Sequence, residues 1–455
     1  MNQSLTNIAH KIGVDKAVAY SSGSRIVAAL TGVLSVFFIT TFLTKVEQGF
    51  YYTFGSIVAL QVFFELGLTG IMTQYVAHEA SHLTLNEDGF YEGEDVYKSR
   101  LASLVRFCAK WYAVLATICF VFLIIVGLVF FNKYGTEHAG VSWQSPWALI
   151  CIGTAIKIFQ SPFNSILMGL GKVKEMSKVS FLQSILLPLV TWSALVCGFK
   201  LYVLGVGYLA SVLLWQLFVR KAKLDIILIN LWKSNITESV SYWREIFPYQ
   251  WKIALSWVSG YFIFQLFNPV LFATEGAVIA GQMGMTLQAL NAIQAFSMSW
   301  LNTKVPLYSK LIALKDYVQL DKIFNRTLHQ MVSVCVMLLA TFFVVIWILN
   351  VTQFSFGGNV LADRFLDYFP MLLLMIPVVI RQYVNSWATY LRCHKQEPFL
   401  WYSLFGGLMS CFCVLFFGKM YGLYGITIST CLQCVILSPW GYSIYKRKKI
   451  EWHGE

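Results

Sequence analysis

Arg381 opens the segment "RQYVNSWATYLRCHK" directly after the apolar run Met371 to Ile380, so a guanidinium stands near the middle of a stretch otherwise fit for lipid. Lys157 repeats the anomaly inside the apolar run 146–168, and Arg25 lies near the start of the run 20–43. An embedded cation is costly unless it is paired or faces water, which makes it a functional candidate by default. Arginine grips a multivalent oxyanion through two parallel charge-assisted hydrogen bonds, and lysine supplies a point charge. The plainer readings place Arg25 at the membrane–water interface and let Lys157 snorkel or pair with Glu65. Glu65, in "VFFELGLTG", is the only acid inside an apolar run. It could exchange a proton, bind sodium, or partner one of the cations. Gln288 and Asn291, in "GQMGMTLQALNAIQAFSMSWLNT", are three residues apart and share a helix face. They could meet hydroxyl groups in a wet cavity or bond neighbouring helices.

A second constellation is "HEASH", His78 to His82, which matches H-E-x-x-H. In that motif two histidines one turn apart hold zinc and the glutamate activates water. No third-ligand motif follows in the later runs, and the end of a membrane helix accommodates His and Glu without a metal, so no metal site is expected. "GLGK" (169–172) lacks the spacing of a phosphate-binding loop, and no cofactor is expected. Most of the ten cysteines lie inside apolar runs, and Cys431-x-x-Cys434 reads as packing.

The elements that must position these groups are membrane helices. The 455 residues are 57% hydrophobic and 12% charged, with a mean hydropathy of +0.63; a soluble domain carries about 25% charged residues. A spanning helix needs about 20 largely apolar residues. Twelve such runs are expected, at about 20–43, 50–73, 106–131, 146–168, 178–198, 203–221, 250–272, 279–301, 328–350, 367–391, 398–417 and 423–445. With both termini in the cytoplasm, 27 of the 34 Lys and Arg fall on the cytoplasmic side and five on the other. That asymmetry is the positive-inside pattern. The net charge of +12 is therefore topological, and no nucleic-acid partner is expected. The N-terminal 25 residues lack the layout of a secretory signal, so the first run should stay as a span.

The chain also repeats itself. Asn164-Ser165 recurs as Asn385-Ser386, with Gln160 where Arg381 stands, and "FKLYVLGVGY" (199–208) resembles "GKMYGLYGIT" (418–427). The offsets are 221 and 219 residues. The expected organisation is an N-terminal lobe over 1–225, a basic cytoplasmic linker over 226–249 and a C-terminal lobe over 250–455. Two halves related by an axis along the membrane normal commonly hold a substrate at their interface. Pro162, Pro188, Pro269 and Pro377 interrupt runs and permit kinks.

Several stretches carry a resemblance: the R-x6-G-x7-T pattern from Arg25, "EQGFYY" opening the second run, "ELGLTGIMTQYVA" closing it, and "YGLYG" before the twelfth. With twelve spans in two halves, the chain resembles the polysaccharide (O-antigen and repeat-unit) flippases of the multidrug/oligosaccharidyl-lipid/polysaccharide (MOP) exporter superfamily. The lipid II flippase branch typically has fourteen spans. The resemblance implies two six-helix lobes around a central cavity in a bacterial cytoplasmic (inner) membrane. It implies alternating access that carries an undecaprenyl-pyrophosphate-linked oligosaccharide outward, with no covalent chemistry. Arg381, Lys157 and Arg25 would then hold the pyrophosphate, Gln288 and Asn291 the sugars, and Glu65 would couple H+ or Na+ or serve as a structural ion pair. Membrane lipids are the other expected partners. A multidrug or cation antiporter on the same fold is the runner-up, although it should concentrate acids where this chain has cations. An intramembrane metalloprotease would need zinc at "HEASH", and a major-facilitator transporter lacks its G-x-x-x-D-R-x-G-R signature here.

Overall fold

Long apolar runs punctuated by glycine and charge give an all-helical chain in the computed structural model, which describes residues 16–86, 88–135, 140–356, 359–394 and 396–453. The N-terminal tail before residue 16, expected to be cytoplasmic, lies outside the described residues. The helices are α1 (Lys16–Phe42), α2 (Lys45–Val58), α3 (Val62–Glu65), α4 (Leu68–Ala80), α5 (Asp95–Tyr134), α6 (Gln144–Gly169), α7 (Val173–Val196) and α8 (Tyr202–Lys221). They continue as α9 (Leu224–Lys233), α10 (Phe247–Phe264), α11 (Phe267–Glu275), α12 (Ala277–Asn302), α13 (Val305–Ala313), α14 (Tyr317–Val351), α15 (Tyr368–Arg392) and α16 (Leu400–His453). Each of the twelve expected spans falls on helix. Among the described residues, eight helices are long and apolar enough to cross a membrane, or nine if α2 to α4, bent by 42°, form one span. α16 has 54 residues, about 80 Å at 1.5 Å per residue and too long for one crossing. Its backbone leaves the helix at Gly422 (φ 55°), where the Glu275 carboxylate accepts the Leu423 N–H at 2.6 Å. "YGLYG" is thus the turn between two spans. α6 and α12, which carry polar candidates, are not among the eight.

Lipid-facing and packed faces alternate at helical spacing. On α5, Val114, Ile118, Val121, Ile125 and Val129 are exposed, whereas Tyr112, Ala116, Cys119 and Leu123 are buried. The described chain divides into two compact units. The first holds α1 up to Val27 together with Val58–Lys133 and Ser142–Val258, and the second holds Ala28–Ile57 and the chain from Ser259. These limits differ from the expected boundaries at 225 and 250: residues 28–57 pack with α11, α12 and the turn before α15, and the stretch 226–249 packs within the first unit.

The reason lies in "EQGFYY". Thr44 and Glu47 form a reciprocal capping box at the start of α2, with Glu47 N to Thr44 Oγ1 at 3.1 Å and Thr44 N to Glu47 Oε2 at 2.9 Å, worth about 1 kcal/mol. Gln48 donates to the Gly281 carbonyl at 2.8 Å. A Cβ on Gly281 would lie 2.8 Å from Gly49 N, so the two backbones touch, as small residues allow in membrane helices. Replacing Gly281 with leucine should therefore wedge α2 from α12 and cost about 1–3 kcal/mol, seen as a lower unfolding midpoint in detergent. An unchanged midpoint would refute the close contact. Arg364, fully buried in a short turn before α15, donates to the Leu43 carbonyl at 2.6 Å and to Gln48 Oε1 at 3.3 Å. A cation is favourable at that helix C-terminus.

In the first unit, the linker is bound to the start of α5. Ser99 Oγ takes the N–H groups of Thr237 and Glu238, and Arg106 donates to the carbonyls of Trp232 and Ser234. Arg100 bridges two acids, Glu79 at 3.0 Å and Glu245 at 2.8 Å. Between α4 and α5 the chain forms a hairpin, β1 (Leu83–Leu85) paired antiparallel with β2 (Tyr91–Gly93).

Candidate functional site

The first unit contains a polar cavity of about 250 Å³ built from α3, α4, α6, α7 and α8. Lys157, Gln160, Ser161 and Asn164 reach it from α6, Glu65 and Thr69 from either side of a broken span, and Gln183, Ser211 and Trp215 from α7 and α8. The break is written in "ELGL". Leu66 (φ 47°) and Gly67 (φ 70°) are both left-handed, so α3 stops and α4 restarts. A Cβ at Gly67 would meet Ile253 at 2.5 Å, which requires glycine there. The break leaves the first N–H groups of α4 without intrahelical acceptors, and such a helix start favours anions.

Lys157 is exposed to the cavity, and its ammonium lies 4.8 Å from the centre of the Tyr208 ring. Cation–π contact of this kind holds a cation in place without consuming its charge. Glu65 lines the same cavity and acts on Lys157 electrostatically, yet no ion pair within 4 Å joins them among the described residues. Other polar groups are already engaged: Gln183 bonds the Ser211 carbonyl at 2.9 Å and Trp215 donates to Asn164 at 3.3 Å. A cavity below the usual size of a drug-sized pocket suits a compact charged head group rather than an oligosaccharide.

In the second unit, Arg381 lies on α15 with its guanidinium 4.8 Å from the Phe264 ring centre, beside Cys434 and Tyr402. Pro377 stands one turn earlier inside the same helix. Gln288 is committed to packing, accepting from Tyr52 Oη at 2.6 Å and donating to the Gly32 carbonyl at 3.0 Å. Asn291 is exposed on α12, one turn further on. Arg25 is exposed on α1 and belongs to the first unit. The structure therefore brings Lys157 and Glu65 together within one unit, and Arg381, Gln288 and Asn291 belong to the other. Tyr208, Gln183 and Ser211 carry no sequence signal as site residues, since Tyr and Ser are ordinary in a membrane helix.

At "HEASH", Glu79 is buried and its Oε1 receives Arg100 Nε at 3.1 Å. His82 stacks on Tyr97 with ring centres 4.0 Å apart, and His78 is 70% exposed. The carboxylate that would activate water in a metalloprotease is held by a guanidinium.

No family model matches the sequence, and no curated protein matches it. Solved structures do. An inward-facing multidrug resistance MATE family transporter of the MOP superfamily aligns with TM-score 0.61 and 12% identity, covering 93% of this chain and 98% of that one. An outward-facing structure of a multidrug resistance MATE family transporter gives 0.57 and 13%, covering 96% of each chain. The lipid II flippase MurJ, in an inward closed conformation, gives 0.60 and 11%, covering 94% of this chain and 87% of that one. These neighbours are transporters and a flippase, and the chain is a multi-pass membrane protein with the fold of MOP superfamily transporters.

Proposed function

We propose that the chain is a flippase for an undecaprenyl-pyrophosphate-linked oligosaccharide repeat unit, working by alternating access in a bacterial inner membrane with both termini cytoplasmic. The observation that carries this reading is Lys157: a lysine in mid-span, facing a polar cavity, held over Tyr208 and, among the described residues, without an acidic partner within 4 Å. A diphosphate head group needs compensating positive charge to pass through a medium of low dielectric. The start of α4 and the amide and hydroxyl rim add donors of the kind that bind phosphate oxygens. Arg381 is the second cation assigned to the head group, and its planar guanidinium suits bidentate contact with phosphate. The sugars are assigned to no particular groove, because Gln288 is occupied and of that pair Asn291 alone is exposed.

The direct test is the leaflet in which the lipid-linked oligosaccharide resides after the gene is deleted from its host. Accumulation on the cytoplasmic side with loss of surface polysaccharide is expected; an unchanged lipid pool would refute the reading. In the same assay Arg381→Ala should lose transport while inserting and folding, and Arg381→Lys should retain part of it. Full transport by the alanine variant would remove Arg381 from the site. Glu65 favours one rival, a cation antiporter, because it places an acid in the cavity. That rival predicts cation or drug uptake that Glu65→Gln abolishes and Lys157→Ala spares.

A further inference from the structure

One face of α8 carries two contacts between a cation and a ring, with the polar cavity between them. Tyr208, Ser211, Trp215 and Phe218 recur at intervals of three, four and three residues, which sets all four on one side of the helix. Tyr208 lies under the Lys157 ammonium, and Ser211 and Trp215 line the cavity. Phe218 lies under a second ammonium: that of Lys178 on α7 stands 5.9 Å from its ring centre. The two rings are ten residues apart, about 15 Å along the helix axis. Lys178 is exposed, and α7 enters the cavity directly after it through Val179, Ser180 and Gln183. Lys174, also exposed, lies one turn earlier on the same face. Among the described residues no ion pair within 4 Å holds either lysine. The segments 172–178 and 220–225, at the same end of α7 and α8, together hold six cations and two acids. A basic rim is ordinary on the cytoplasmic side of a membrane protein. Lys178 differs from the rim in its place, over the ring that continues the cavity's own wall.

We propose that Lys178 is the first binding position for the diphosphate head group, at the cytoplasmic mouth, and passes it inward to Lys157. The inference rests on the flippase reading of the cavity and adds the order in which the two lysines act. Each ring fixes its ammonium and leaves the charge for an anion, and the two positions succeed one another along α8 from the cytoplasmic end. A cation at a mouth raises the local concentration of an anion and its association rate, an effect that salt screens. A charge inside a cavity acts chiefly on dissociation. The two lysines are therefore separable by kinetics.

The test follows binding of anthraniloyl-labelled geranyl pyrophosphate, a soluble diphosphate, to the full chain in phosphatidylcholine nanodiscs by stopped-flow fluorescence. At low salt Lys178→Gln should lower the association rate about ten-fold and leave dissociation within about two-fold. Lys178→Arg should keep the wild-type rate. Association should also lose its salt dependence in Lys178→Gln between about 10 mM and about 1 M salt, where the Debye length falls from about 30 Å to about 3 Å. Lys157→Gln should do the reverse, raising dissociation about ten-fold while association holds. Lys221→Gln removes an equal charge from the rim and should slow association by less than about two-fold. Equal losses in Lys178→Gln and Lys221→Gln would make the effect one of overall charge and overturn the assignment. Unchanged association in Lys178→Gln, with Lys157→Gln still weakening binding, would overturn the role of Lys178 and leave the head-group reading standing. Unchanged binding in both would overturn both readings. If excess short-chain phosphatidylglycerol removes the signal that depends on Lys178 as well as unlabelled geranyl pyrophosphate does, Lys178 holds ordinary anionic lipid and the proposal falls.

Discussion

Lys157→Ala is expected to abolish translocation of the lipid-linked oligosaccharide while the protein still inserts and folds. The side chain is exposed to the cavity and touches the Tyr208 ring, so its removal opens no packed core. Glu65 loses a charge that acts on it through the cavity but no direct partner within 4 Å, and the remaining hydroxyls and amides can solvate it. Stability should therefore change little. Transport should fall by about 100-fold or more, since about 2.7 kcal/mol of lost stabilisation in the rate-limiting state gives that factor and an unscreened diphosphate loses at least as much. Lys157→Arg should retain measurable transport because it keeps the charge. The measurement is flipping of the labelled lipid in proteoliposomes, with an unfolding curve from the same preparation. Wild-type flipping by the alanine variant would refute the site.

Arg100→Leu should be the most damaging single change to stability outside the packed apolar faces. It leaves Glu79, 1% exposed, without its guanidinium and frees Glu245 and the linker behind it. Breaking a buried pair by removing one partner costs about 3–5 kcal/mol. The expected signs are a lower unfolding midpoint in detergent and rapid proteolysis between Ser234 and Ile246. The double variant Arg100→Leu with Glu79→Leu should recover much of the loss, because no buried charge is then stranded; failure to recover would refute the account. The lock also has a pH signature. Burial pushes the Glu245 carboxyl up, but the Ser241 N–H and the Arg100 guanidinium outweigh it and hold it below its usual value. A carboxylate depressed in the folded state contributes stability above its unfolded value, about 4.3, and loses that contribution as the pH falls through the folded value. Linker protection should thus be constant from neutral pH down to about 5 and decline below about 4. Arg100→Leu should flatten that decline.

Most of the fold could be read because a span needs only length and apolarity, and both are properties of a run of residues. The positions of glycine and charge between runs were legible for the same reason. Gly422 could be read as a break, but not its capping by Glu275, since nothing in either sequence neighbourhood points to the other. Arg364, one of the five cations that the charge count puts on the non-cytoplasmic side, is fully buried, and only the folded chain brings the end of α1 and Gln48 around it. The hairpin at 83–93 has strands of three residues each, too short to show an alternating pattern. At the site, the cations stood out because a charge among apolar neighbours is improbable. Gln288 and Tyr208 did not separate into packing and lining, because an amide or a phenol suits either role. The stretches behind the family resemblance proved to be scaffold: "EQGFYY" joins α2 to α12, and "ELGL" breaks a span.

That break has a consequence for the solvent. Where Leu66 and Gly67 turn left-handed, the ladder of amide bonds that makes a helix tolerable in hydrocarbon is cut in mid-span. Lipid cannot accept the freed N–H groups, so bare backbone persists at that depth only beside water or protein. At Leu66 and Gly67 the chain provides protein for that purpose, with the Ile253 side chain of α10 closing on Gly67 and the polar cavity of Glu65 and Thr69 beside it.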